Sequence, residues 1–376
     1  MIVGRIPSLT WNSLKMNSGV VSAAPDIDYA VYLDAQALPE GVSVSRLSAE
    51  EAAAWLDANT PAQEQEYVVA GKTPIYRFQR FGTGLGQEYD DFICSAAGGD
   101  AELIEIGEGA TVKAPVVVKM DLESGKGAAA RRIIHVGSGS SVSVVLRYRS
   151  EKDAQGSACI STKIVLDKDA QIHISRVQML GSGFLCMDDL GISLDERAKA
   201  KVSRLDLGAG KVYVGLQAQM CGKDSQFLSE AAYYAGSGQL LDMNYNVVQR
   251  GKRSECHMTF EGVLENGGSK CLRDTIDFRR GAAGAVGDEQ ENVLLLTDDV
   301  QNRSLPIILC EEENMEGRHG ATIGRLDEDM LFYMASRGID TQEAQQIMVR
   351  AKLESVSRHI PDLAVRAEIR NYIEAL

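Results

Sequence analysis

Apolar and polar positions alternate through the middle of the chain in a phrase that returns. It runs apolar-x-apolar, three turn residues, a small residue, one variable position, apolar. It reads IEIGEGATV from Ile104, IHVGSGSSV from Ile134, IVLDKDAQI from Ile164 and ISLDERAKA from Ile192, with starts 30, 30 and 28 residues apart. LLLTDDVQN from Leu294 has the same form. Alternation of period two predicts strands with one buried face. The triplets Gly137-Ser138-Gly139 and Asp167-Lys168-Asp169 predict tight polar corners. A fixed period of this length marks a stacked solenoid, in which neighbouring coils share a core that one coil could not bury alone. No helical pattern intervenes, which favours a parallel β-helix over a leucine-rich repeat. A β-sandwich is the rival, since regular strands and turns suit it too.

The ends have a different period. SAEEAAAWLDAN (Ser48 to Asn59) predicts a short helix capped by Ser48, with Glu51 three residues on. After Asp327 helical spacing takes over. Asp327 is a predicted N-cap, followed by Glu328 and Asp329 in the first turn, and Gly338 fits the C′ position after Arg337. A second helix starts at Thr341, with Glu343 early in it and an apolar stripe of Ala344, Ile347, Met348 and Ala351. Pro361 fits N1 of a last helix carrying Leu363, Ala364, Ile369 and Ile373. The expected fold is therefore mainly β: a parallel β-helix core, a short α-helical N-terminal segment and an α-helical C-terminal domain. The expected divisions are 1–90, 91–318 and 319–376. Terminal helices would also cover strand edges that otherwise invite aggregation.

Composition narrows the class. The 376 residues carry 39 Lys+Arg against 53 Asp+Glu, a net charge of −14, which disfavours nonspecific nucleic-acid binding. The N-terminus lacks the basic-then-apolar layout of a signal peptide, and no window approaches a membrane span. Seven cysteines scattered from Cys94 to Cys310, with no C-x-x-C pair, suit neither a disulfide framework nor a zinc site. They fit a reducing cytoplasm. No phosphate loop, nucleophile elbow or H-E-x-x-H helix is present, so ATP hydrolysis would have to come from a partner.

Candidate chemistry lies near the end of the repeat. His319 precedes the Gly/Ala/Thr run into the C-terminal helices; neutral imidazole is a good iron ligand, although a lone histidine is more often structural. Cys310 ends the apolar strand SLPIILC and is expected to be a buried, inert thiol. Cys256 and His257 are adjacent on a strand, so they should face opposite sides and not chelate together. The acidic run Glu311-Glu312-Glu313 with Glu316 reads as a solvated turn.

Three blocks resemble the SufB/SufD family, the scaffold proteins of the SUF iron–sulfur cluster assembly system. They are IPSLTWNSLKMN (Ile6 to Asn17), DTIDFRRGAAGAVGDEQENVLLLTDDV (Asp274 to Val300) and the stretch from Asn302 to about Val356, which includes HGATIGRLDEDMLFYMASRGI. The run NRSLPIILCEEENMEGRHGAT points to the SufD branch. SufB-like chains carry a cysteine between the acidic turn and the following proline and a His-Glu pair before the Ala-Thr. Here Val300 to Pro306 has no cysteine, Gly320 follows His319, and Gly317 stands where some SufD relatives have a cysteine. The resemblance implies a right-handed β-helix and a non-enzymatic scaffold working with a SufB-type scaffold and a SufC-type ATPase. It also implies an iron–sulfur cluster held transiently and shared with SufB, not bound tightly by this chain. His319, with Cys310 as a lesser candidate, would be a ligand, and Leu331, Phe332, Tyr333, Arg337 and Gly338 would dock SufC. A homodimer is expected for the isolated chain. The rivals are a SufB-like homo-oligomer, a β-helix carbohydrate-active enzyme and a purely structural solenoid.

Overall fold

The computed structural model of the chain describes residues 1–8, 12–33, 38–60, 81–96 and 99–376. Thr10 and Trp11 of the first family-like block lie outside the described residues. Four short strands lead in: β1 (Ile2–Val3), β2 (Gly19–Val20), β3 (Tyr29–Ala30) and β4 (Val42–Leu47). The repeating region then winds between two sheets. One carries β5 (Ala101–Ile106), β7 (Lys126–Val136), β9 (Gln155–Leu166), β11 (Gly183–Leu194), β13 (Lys211–Met220), β15 (Leu240–Gln249), β17 (Ser269–Phe278) and β19 (Gln301–Cys310). The other carries β6 (Val116–Asp121), β8 (Ser141–Arg149), β10 (Gln171–Met179), β12 (Lys199–Asp206), β14 (Gln226–Ala235), β16 (Glu255–Leu264), β18 (Ala285–Leu295) and β20 (Met315–Gly324). Every coil-to-coil pairing is parallel, whereas β4 caps β5 antiparallel. This is the parallel β-solenoid that the period implied, not a sandwich.

The repeated phrase explains the geometry of each coil. Its first residue stacks in register through Ile104, Ile134, Ile164 and Ile192, an interior ladder with almost no solvent exposure. Its third turn residue takes a positive φ every time: Gly109 (69°), Gly139 (67°), Asp169 (61°) and Arg197 (55°). Left-handed backbone is costly for a non-glycine residue. Here Arg197 Nε holds Asp169 Oδ1 at 2.6 Å across adjacent corners. The same corner recurs at Asp224 (58°), Arg253 (54°) and Gly284 (76°), where the phrase is no longer legible. LLLTDDVQN, by contrast, leads from β18 to β19 and so makes the opposite corner, out of phase with the other four.

Both outer faces are covered, which is why most strands read as nearly continuous buried runs. Helix α1 (Ala49–Asn59) has the full capping box between Ser48 and Glu51 and packs Ala52 and Leu56 on Leu103, Ile133 and Val165. Helix α2 (Gln87–Ser95) sets Tyr89 and Ile93 on Ala129, Cys159 and Met187. On the smaller sheet lie α4 (Thr341–Ser357) and α5 (Leu363–Glu374), joined to the solenoid through α3 (Glu328–Ser336). Asp327 caps α3 as expected, accepting from the Asp329 N–H at 3.0 Å, and Gly338 has φ 85°.

Three sequence expectations shift. The buried stripe of α4 is Ala344, Val349, Leu353 and Val356, with Ile347 exposed, because the helix is rotated to meet Val145, Val177 and Leu205 of the sheet. Pro361 precedes the N-cap, which is Asp362, and the last helix starts at Leu363. The division placed at 318/319 falls inside β20; strand continues to Gly324.

Candidate functional site

The last coil has a neighbour on one side only. β19 and β20 are the terminal strands of the two sheets, so each presents an edge with no strand paired to it among the described residues. Most of β20 is exposed on both faces. His319 sits in the middle of this strand and not in the turn beyond it. It pairs in register with Glu289 on β18, whose side chain points into the solenoid. The His319 imidazole therefore faces the mouth of the interior, 37% exposed above a carboxylate that is 2% exposed. Nδ1 lies 2.5 Å from Glu289 Oε2.

Below the mouth, the interior is charged. Glu291 pairs with buried Lys270 and accepts from the Tyr233 hydroxyl at 3.3 Å. Lys270 Nζ also donates to Ser304 Oγ on β19 at 2.9 Å. Asp274 shares this space with Glu289 and Glu291; burial first, then those two carboxylates, push its pKa well above the usual range. Burial also raises Glu289, while the hydrogen bond from His319 works against that rise. Among the described residues, no three His, Cys, Asp or Glu side chains are grouped so as to hold a metal ion. The mouth thus offers one imidazole on an acidic, buried support.

The other candidate residues are placed as follows. Cys310, expected to be buried, is exposed: it ends β19, the terminal strand of its sheet, and no further coil covers it among the described residues. Burial of part of the side chain and Asp277 push its thiol pKa up, so it is not a thiolate poised to bind. Cys256 is buried and His257 exposed on the opposite side. In the acidic run, Glu311 meets Arg279 at 3.1 Å and Glu312 accepts the Gly281 N–H at 3.0 Å, so these carboxylates hold a corner. On α3, Phe332 and Tyr333 are 78% and 59% exposed, Leu331 is half-buried, and the Arg337 guanidinium lies 5.3 Å from the Tyr333 ring centroid. Arg337 and Gly338 are exposed.

Sequence reasoning missed Glu289, although a signal for it was present. The coil period is about 30 residues, and Glu289 lies 30 positions before His319. At this spacing the residue 30 positions upstream is the lateral neighbour of His319 in the preceding coil.

The chain is a two-sheet parallel solenoid with helices laid on its faces and an open last coil that carries a histidine. Residues 119–352 match the family described as SUF system FeS cluster assembly, SufBD core domain, and the chain belongs to that family. Its likeness is to SufD: the iron–sulfur cluster assembly protein SufD of Bacillus subtilis is 22% identical over 374 residues, covering 96% of this chain and 83% of that protein. SufBD family proteins of Staphylococcus haemolyticus and Staphylococcus epidermidis are each 21% identical over 199 residues, covering 53% of this chain and 43% of theirs. Among the described residues no helix is long and apolar enough to cross a membrane.

Proposed function

We propose that this chain is a SufD-type scaffold subunit of the SUF system, without catalytic activity of its own, working in the cytoplasm. Through the open last coil it pairs with a SufB-type scaffold, and through α3 it docks a SufC-type ATPase by Leu331, Phe332, Tyr333, Arg337 and Gly338. The iron–sulfur cluster is cargo, built transiently between the two scaffolds, with His319 as this chain's ligand. A single imidazole cannot hold a cluster, so thiolate and carboxylate donors come from the SufB side. Cys310 is the lesser donor, because its thiol is not activated. ATP-driven association of two SufC subunits would bias the scaffold pair through the different affinities of the helical ends for the two SufC states.

The observation that carries this reading is the partly exposed imidazole on a terminal strand whose outer edge has no paired strand among the described residues, in a family devoted to cluster assembly. The test is co-expression with SufB- and SufC-type partners, followed by anaerobic purification and assay of iron and sulfide. His319→Ala should assemble with both partners yet lose the cluster. Normal iron and sulfide in the variant complex would remove His319 from the site.

A further inference from the structure

We infer that Glu289 is the positioning residue for His319, fixing the ring so that its Nε2 lone pair faces the open end of the solenoid. The inference deepens the functional reading and rests on it, but its physical core can be tested without any cluster.

A separation of 2.5 Å between Nδ1 and a carboxylate oxygen requires a proton between them, since two facing lone pairs would repel. With the proton on Nδ1 and the carboxylate accepting, the neutral ring keeps its free lone pair on Nε2. This is the arrangement by which a carboxylate behind a metal-binding histidine selects the tautomer and orients the ring. Glu289 is well placed to hold it. It is the register partner of His319 on the adjacent strand, and its side chain is almost fully buried. Glu291, two residues along on the same face, is occupied by Lys270 and Tyr233, which leaves Glu289 to the imidazole.

The experiment uses the full chain with nitrogen-15 histidine, recorded at a pH where the spectrum itself shows a neutral ring. Long-range proton–nitrogen correlation distinguishes the two tautomers. The chain has five histidines, so His319 is assigned as the signal missing from His319→Ala. The wild-type ring should be the Nδ1–H tautomer. Glu289→Ala should move it towards Nε2–H, and Glu289→Gln, whose amide oxygen accepts the same bond, should restore Nδ1–H. In the anaerobic partner complex, Glu289→Ala should lower cluster occupancy about tenfold or more, with Glu289→Gln well above it. An Nε2–H ring in the wild type, or a tautomer indifferent to Glu289→Ala, overturns the inference. If Glu289→Ala does not fold, the wild-type spectrum alone decides. A correct tautomer with cluster retained in His319→Ala would instead sink the functional reading and leave the positioning intact.

Discussion

At the scale of single residues, the interior of this solenoid carries charges where alternation alone predicts apolar side chains. Asp188 on β11 is fully buried between Arg176 and Arg204, with Arg204 Nη1 at 2.7 Å, and Arg204 also holds Asp206 at 2.6 Å. Such buried pairs add little net stability, because desolvation offsets attraction, yet removing one partner strands a charge. Asp188→Ala should therefore cost about 3–5 kcal/mol in urea unfolding; a loss below about 1 kcal/mol would mean that the remaining arginines find other partners. Asp189 faces the opposite way, accepting the Leu85 N–H at 2.9 Å from the segment that covers the larger sheet. Burial raises its pKa to about 6, with the hydrogen bonds from Thr83 and Leu85 working against the rise. That is above the unfolded value of about 3.9, so the folded chain binds more protons between about pH 4 and 6. This group's contribution to stability falls as pH rises through that window and stays low above it. Asp189→Asn keeps the accepting oxygen without the charge. It should be more stable than wild type at pH 8 by up to about 3 kcal/mol, with the gap closing by pH 4. A gap that does not change with pH would exclude the titration of Asp189 as its source.

At the scale of elements, α3 stands apart because none of its residues is fully buried and its aromatics point to solvent. A helix kept exposed in this way is held by its caps and by what binds it, so surface charges there should be nearly neutral for folding. Phe332→Glu combined with Arg337→Glu should abolish co-purification of the SufC-type ATPase while leaving the thermal transition within a degree or two. Retention of the ATPase would move its docking site elsewhere. The caps of these helices were legible in the sequence because they depend on local side chains: Ser48 with Glu51, and Asp327 ahead of Asp329. The coils were legible because Ile104, Ile134, Ile164 and Ile192 repeat in phase. The buried side of α4 was not, since Val349 and Leu353 are chosen by the sheet beneath, which no helical period encodes. The exposure of Cys310 escaped for a related reason: its strand looks like every other apolar strand, and only the absence of a following coil uncovers it.

At the scale of the whole molecule, the two ends of the solenoid differ. At the first coil β4 is laid antiparallel on β5 and β6 is the edge of the smaller sheet, whereas at the last coil β19 and β20 are themselves the edges, with no further strand paired to either among the described residues. Open edges of long strands are templates for pairing, and proteins that must not pair usually place charge or a bulge there. Beside the exposed Arg318–Glu316 pair, this end presents Ile323, 44% exposed, and Ala321, both on the same side of β20 as His319. Lysines at these two positions would add two charges to the mouth without touching Glu289 or His319. Ala321→Lys/Ile323→Lys should therefore stay folded and lose the SufB-type partner in pull-down. It should keep the ATPase, whose proposed contacts lie on α3. If the double variant still captures the SufB-type partner at wild-type strength, the scaffolds meet through another face, and His319 does not point at their junction.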